Sequence, residues 1–304
     1  MLESLLKSGR IVVIVDGYSE MTEAATKRIQ PESPKFIVNK LVVTSRLDEH
    51  LQLVGQTSLA PQRLNLSVLT HFVQAYLESK ERISLFTGTE VHALCGEIET
   101  MIAQEDITPL LAELYLKYAI ASKEKAGAGY VAKPTNIPAL VLEYLNLLNQ
   151  KISNGKRDDL EVHRSAKVIT WACLRGTFHP IPAKIKDVLA ILSETKSPKG
   201  DLKYFEERLR LIETIQPGEE IRFALDPLAE YLAALHLVDI NGSADTLWRE
   251  FIKCADCASG SPHAIVGFLR AVADAYKFRN PDLSPDNFLI REIDKRIKKS
   301  KHHR

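Results

Sequence analysis

Hydrophobic positions along the chain fall into two regimes. In the first, apolar residues form short unbroken runs. Ile11-Val12-Val13-Ile14-Val15 lies between Gly9 and Asp16-Gly17. A β-branched run this short, bounded by turn residues, predicts a strand buried on both faces, as in a parallel sheet. Lys40-Leu41-Val42-Val43-Thr44-Ser45-Arg46 is a second such run, closing on two hydroxyls and an arginine. The polar segment between them, residues 21–36, predicts a short helix or loop. It is long enough for a right-handed crossover between parallel strands.

From residue 56 the period becomes helical. Leu69, Phe72, Val73, Tyr76 and Leu77 share one helical face. Further helices are predicted over residues 90–103, from Pro109 onward, over 137–148 and over 160–174. Pro109 has the first-turn position that proline favours, and residues 123–136 read as a loop. Asn154-Gly155-Lys156-Arg157-Asp158-Asp159 clusters turn residues and charges and marks a boundary. Beyond it, residues 184–194 and 202–212 predict amphipathic helices, and residues 215–225 a turn leading into a short strand. Asp226 is then the expected N-cap and Pro227 the first residue of the next helix. Residues 247–254 and 264–276 continue helical, and residues 290–304 form a basic helix or tail. No unit recurs as a repeat.

Composition narrows the function classes. The chain has 304 residues and a formal net charge of +1, so no global field demands nucleic acid or an anionic membrane. Hydrophobic residues make up 45%, yet no apolar run approaches the roughly 20 residues of a membrane span. The start, Met-Leu-Glu-Ser-Leu-Leu-Lys, has no secretory pattern. Four cysteines, Cys95, Cys173, Cys254 and Cys257, fit reduced thiols in a cytoplasmic protein.

Candidate chemistry sits at the ends of the two apolar strands. Ligands of α/β proteins gather at the carboxyl edge of the sheet, and Asp16 stands where the first strand ends. Its carboxylate suits Mg²⁺, held directly or through water, and Glu20 follows one turn later. This is the pattern of a Walker B strand in a P-loop NTPase. The two segments together resemble the NACHT branch of the STAND signalling NTPases. Residues 12–20 are similar to that family's hydrophobic-strand-Asp-Gly-x-Asp-Glu motif, and residues 41–46 look like its sensor strand, which ends in Thr-x-Arg. Ser19 stands where the family usually has a second Asp. Further on, Leu64-Asn65-Leu66-Ser67-Val68-Leu69 and Pro109-Leu110-Leu111 resemble phrases of its helical subdomain. Residues 223–234, ending Glu230-Tyr231-Leu232-Ala233-Ala234, resemble its winged-helix phrase. Leu225 stands where the family often has a phosphate-sensing histidine.

The resemblance implies an α/β start followed by mostly α structure. Its parts are a partial parallel P-loop sheet in residues 1–58, a helical subdomain in 59–154, a winged-helix-like subdomain in 155–242 and a helical segment with a basic tail in 243–304. It implies ATP and Mg²⁺ as cofactors. Asp16 would hold the metal, Glu20 would polarise the attacking water, Thr44 or Arg46 would sense the terminal phosphate, and Pro109 would touch the adenine. The sequence, however, contains no Gly-x-x-x-x-Gly-Lys-Ser/Thr loop to cradle phosphates. The nearest imitation, Gly127-Ala128-Gly129-Tyr130-Val131-Ala132-Lys133, lacks the second glycine, and Pro134 replaces the hydroxyl. The expectation is therefore a fragment, split copy or decayed copy of such a switch, with weak or no ATP binding of its own. Its second strand would offer an unpaired edge to a protein partner, such as a separate chain carrying the phosphate loop, or to a homo-oligomer. A nucleotide-free interaction scaffold is the alternative, and a winged-helix DNA-binding regulator the third reading. Cys254-x-x-Cys257 with His263 suggests half of a zinc site, and the tail, from Arg291 to Arg304, a solvated end.

Overall fold

The first apolar run forms its strand where the glycines permit the chain to turn. Helix α1 (Leu2–Lys7), with an i,i+4 Glu3–Lys7 ion pair of 2.7 Å, leads into β1 (Val12–Val15). Gly17, at a φ of 67°, turns the chain out of β1 in a left-handed conformation that few side chains tolerate. A short helix α2 (Glu23–Thr26) follows, and β2 (Lys40–Val43) then pairs with β1 in parallel, Val12 opposite Lys40 and Val15 opposite Val43. The structure is a computed structural model describing residues 1–18, 21, 23–45, 57, 59, 64–102, 107–124, 133–153, 157–194, 197–215, 218–284 and 286–301. The chain divides into two compact units, Met1–Pro61 and Gln62–Arg304.

The expected parallel pairing is present, but the expected burial of β1 on both faces is not. Val13, Val15, Leu41 and Val43 are half-buried, while Val12, Ile14 and Val42 are 52%, 68% and 48% exposed. A continuous apolar run is buried twice only where layers lie on both sides of the sheet, and the described elements of this unit leave one side open.

The second unit is built from helices whose caps are visible in the side chains. Helix α3 (Leu66–Ser79) starts where the Asn65 side chain accepts from the Val68 N–H at 3.0 Å. It buries Leu69, Val73 and Leu77. Helix α4 (Gly88–Ile102) opens on a capping box, in which Glu90 Oε2 accepts from the Thr87 N–H at 2.8 Å and Thr87 Oγ1 accepts from the Glu90 N–H at 3.3 Å. Helix α5 (Pro109–Glu124) begins at the proline, as the sequence predicts, and packs on α6 (Ile137–Ser153). Residues 127–132 of the glycine-rich imitation of a phosphate loop and residues 154–156 of the charged boundary lie outside the described residues, whereas Lys133, which closes the imitation, is described.

Helix α7 (Asp159–Leu174), capped by Asp158, leads through β3 (Ala183–Lys184) to α8 (Ile185–Ile191) and α9 (Pro198–Lys203). A π-helical turn, Tyr204–Arg208, ends at β4 (Ile212–Ile215), and β5 (Glu220–Phe223) returns beside it. The sheet is antiparallel with order β3–β5–β4. The helix expected over residues 202–212 therefore ends early. Arg210 takes a φ of 55°, which ends the helix and lets Ile212 start a strand.

Helix α10 (Asp226–Asn241) is nearly all buried and packs on α7 and on α12. Its N-cap is Leu225, with no side-chain cap bond, so Asp226 is the first helical residue and Pro227 the second, one place later than expected. Helix α11 (Asp245–Cys257) buries Trp248, Phe251 and Ile252 on one stripe. Helix α12 (Val266–Arg279) and helix α13 (Phe288–Lys301) follow. Of the two forms expected for the basic stretch, helix or tail, the described residues take the helix, and one side of it is docked rather than solvated. Leu289, Ile290 and Ile293 are buried, and Arg296 forks onto Asp256 of α11 through Nε at 2.6 Å and Nη2 at 2.5 Å. Trp171, Phe178, Phe251 and Phe268 stack and tilt together in the core of this unit. Among the described residues, no helix is long and apolar enough to cross a membrane.

Candidate functional site

Parallel pairing with Val15 opposite Val43 brings the ends of both strands to one edge. Asp16 and Thr44 follow immediately, and they meet there. The Thr44 hydroxyl donates to Asp16 Oδ1, and Thr44 Oγ1 accepts from the Gly17 N–H at 3.0 Å. Thr44 also closes the edge with its backbone, because its N–H donates to Val15 O at 2.9 Å and its carbonyl accepts from the Tyr18 N–H at 2.8 Å. One threonine thus fixes the Asp16 carboxylate and the turn that follows it. Asp16 is exposed, so its remaining lone pairs face water.

The donor set tests the implied Mg²⁺. A carboxylate and a hydroxyl are hard oxygen donors, which suits an ion that keeps several waters and shares its shell with phosphates. The set does not suit a metal held by protein alone. Among the described residues, no three His, Cys, Asp or Glu side chains gather at one place to hold an ion. That applies equally to Cys254, Cys257 and His263, so the zinc half-site finds no third ligand among these groups.

The other sequence-derived site residues are distributed as follows. Glu20 and Arg46 lie outside the described residues. Pro109 belongs to the second unit, where it starts α5 and leads into the buried Leu111 and Ala112. Leu225 is half-buried at the entry to α10.

The second unit also holds two polar clusters. The first joins the charged boundary to α9. Asp201, 3% exposed, accepts from the Arg157 guanidinium and from Ser165 Oγ at 3.0 Å. Arg157 stacks on the Tyr204 ring, 4.4 Å from its centroid. The Tyr204 hydroxyl donates to Asn149 Oδ1 at 2.6 Å, and the Asn149 amide donates to Arg157 O at 2.8 Å and to Asp159 Oδ1 at 2.6 Å. Every donor named here has its acceptor, which marks a clamp rather than a ligand site.

The second cluster rims a cleft of about 290 Å³ floored by Phe86, Leu94, Tyr115 and Tyr118. Glu97 accepts from the Tyr115 hydroxyl at 2.6 Å and from Lys133 at 2.5 Å. Burial would raise the Glu97 carboxyl, but these two partners outweigh it and lower the pKa. Burial, followed by that same carboxylate, pushes the Tyr115 hydroxyl well above the usual range. Glu90 is drawn down to about 2, first by the hydrogen bond from Lys123 and then by the Thr87 N–H and hydroxyl. The rim groups are thus satisfied by one another. No sequence motif announces either cluster, because their members are far apart in the chain.

No protein-family model matches the chain, and no curated protein matches it.

Proposed function

We propose that this chain is part of a STAND-type nucleotide switch of the NACHT kind, carrying its magnesium-facing rim and its helical arms but not its phosphate loop. The observation that supports this reading is the meeting of Asp16 and Thr44 at the carboxyl ends of two adjacent parallel strands. In that reading Asp16 would hold Mg²⁺ directly or through water and Thr44 would orient the carboxylate, while Thr44, by turning its hydroxyl proton away from Asp16, or Arg46 would sense the terminal phosphate. When bound, Mg²⁺ would neutralise charge on the phosphate oxygens.

The second unit is consistent with the arms of such a switch. The order α7, β3, α8, α9, β4, β5, with sheet order β3–β5–β4, follows the plan of a winged helix. Here it is packed through α7 against the buried α10. The sequence contains no loop that wraps phosphates, so nucleotide affinity rests on few contacts, and the cradle would be supplied by polypeptide outside these residues. The open Val12, Ile14 and Val42 face favours the second reading, a scaffold that engages other proteins without nucleotide. An overall charge of +1 gives no support to the DNA-binding reading.

Titration of the purified chain with fluorescent ATP and Mg²⁺ separates the two. The switch reading expects saturable binding in the millimolar range that Asp16→Ala abolishes. Absence of binding at millimolar nucleotide, or binding indifferent to Asp16→Ala, would overturn it in favour of the scaffold.

A further inference from the structure

The Cys254-x-x-Cys257 pair is unused by the function proposed above, and its environment differs from that of the other two cysteines. Cys95 and Cys173 are buried, 1% exposed each, whereas Cys254 and Cys257 are both exposed. Burial raises the Cys95 thiol and pushes the Cys173 thiol up to about 12, so neither supplies thiolate at neutral pH.

Geometry brings the exposed pair together. Both belong to α11, three residues apart, and residues so spaced share a helical face. The rise, radius and turn of an α-helix put their Cα atoms about 5 Å apart, inside the range of roughly 4.4–6.8 Å that a disulfide spans. Ideal helical Cβ atoms at this spacing are slightly too far apart for an S–S bond, so one residue must give. Cys257 is the last residue of α11, and Ala258 after it is already extended, at φ −66° and ψ 142°. Cys257 can therefore lean toward Cys254 at the cost of one terminal helical bond. The turn that carries them is held in place. Ala255, between the two cysteines, is fully buried, and Asp256 is forked by Arg296. With no third metal-ligating side chain grouped beside them among the described residues, the pair is a dithiol.

We propose that Cys254 and Cys257 are a modification site that reacts with low-molecular-weight disulfides and closes to an intramolecular disulfide. One thiolate attacks a sulfur of the small disulfide. The S–S bond of that molecule breaks, a protein–small-molecule S–S bond forms, and one small thiol leaves with a proton. The second cysteine, as thiolate, attacks the protein-bound sulfur and expels the second small thiol. Two protein thiols are oxidised by two electrons, and one small disulfide is reduced to two thiols. The second step is intramolecular, so it outruns further reaction with the solution species.

The test treats the full native chain with glutathione disulfide, blocks residual thiols by alkylation, and maps the cysteines by mass spectrometry. The expected product has lost two hydrogens between Cys254 and Cys257 and retains no glutathione, with Cys95 and Cys173 still reduced. Cys257→Ser should keep one glutathione on Cys254, and Cys254→Ser one on Cys257. Each mixed disulfide should persist on the order of tenfold or more above its level in the unaltered chain. Glutathione retained on both cysteines of the unaltered chain would overturn the proposal. So would a disulfide that includes Cys95 or Cys173, or a chain left fully reduced.

Discussion

Replacing Asp201 by alanine removes the acceptor at the centre of the clamp between the charged boundary and α9. The cost follows from what remains. The Arg157 guanidinium loses its ion-pair partner while its side chain is only 23% exposed, and the 3% exposed Ser165 hydroxyl loses its acceptor. Breaking a buried pair by removing one partner costs about 3–5 kcal/mol. Arg157 keeps its stack on Tyr204 and can swing partly into water, so the lower end, about 3 kcal/mol, is expected. Both tryptophans, Trp171 and Trp248, lie in the second unit, so their fluorescence during urea unfolding reports that unit alone. With a slope of about 3 kcal/mol per molar urea, the midpoint should fall by about 1 M. Adding Arg157→Met to Asp201→Ala removes the stranded charge and should recover about half of the loss. A midpoint shift below about 0.2 M, which corresponds to under about 0.6 kcal/mol at that slope, would refute the reasoning. A double variant as unstable as the sum of the singles would do the same.

Four further outcomes are expected. Gly267→Ala on α12 would drive a Cβ into the Glu230 carboxylate of α10, with Cδ only 2.9 Å away, and should cost about 1–3 kcal/mol in the same urea assay. Gly96→Ala on α4 meets nothing within 4 Å and should instead stabilise by about 0.5–1 kcal/mol. Ile14→Lys places a charge on the open face of β1. It should lower hydrophobic-dye binding and any self-association seen by sedimentation velocity, while amide exchange of β1 stays as it was, because Ile14 is already 68% exposed. The Glu90 carboxyl has a folded-state pKa of about 2 against 4.5 when unperturbed. Its contribution is fully present above pH 4.5 and lost as pH falls toward 2. Glu90→Gln should flatten the acid dependence of stability in that window by lowering stability near pH 7, with the variant and the unaltered chain converging as pH falls toward 2.

The parts of the fold legible in the sequence are those that local chemistry specifies. The paired strands came from two apolar runs and a crossover of suitable length, and α5 was announced by Pro109. Failures came where a tertiary environment decides. The apolar run of β1 implied two covered faces, yet burial depends on layers the run cannot see. The helix expected through residue 212 overshot because its stop is Arg210 in a left-handed conformation, and the sequence holds no glycine or proline to mark it. The basic stretch from residue 290 left helix and tail open, and its end reads as solvated because its charges outnumber its apolar residues. Leu289, Ile290 and Ile293 nevertheless form one stripe that docks. Asp16 and Thr44 were each visible as candidates, but their hydrogen bond needed the register of the parallel pair.

The central claim, that the Asp16–Thr44 edge faces magnesium and nucleotide phosphate, is open to a direct measurement. Backbone amide shifts of the isotope-labelled chain, recorded while Mg²⁺ and ADP are raised together into the millimolar range, report which residues meet the ligand. The account predicts saturable shifts centred on Gly17, Tyr18 and Thr44 that disappear in Asp16→Ala. Shifts elsewhere with none at these three amides, or the same shifts in the Asp16→Ala chain, would contradict it.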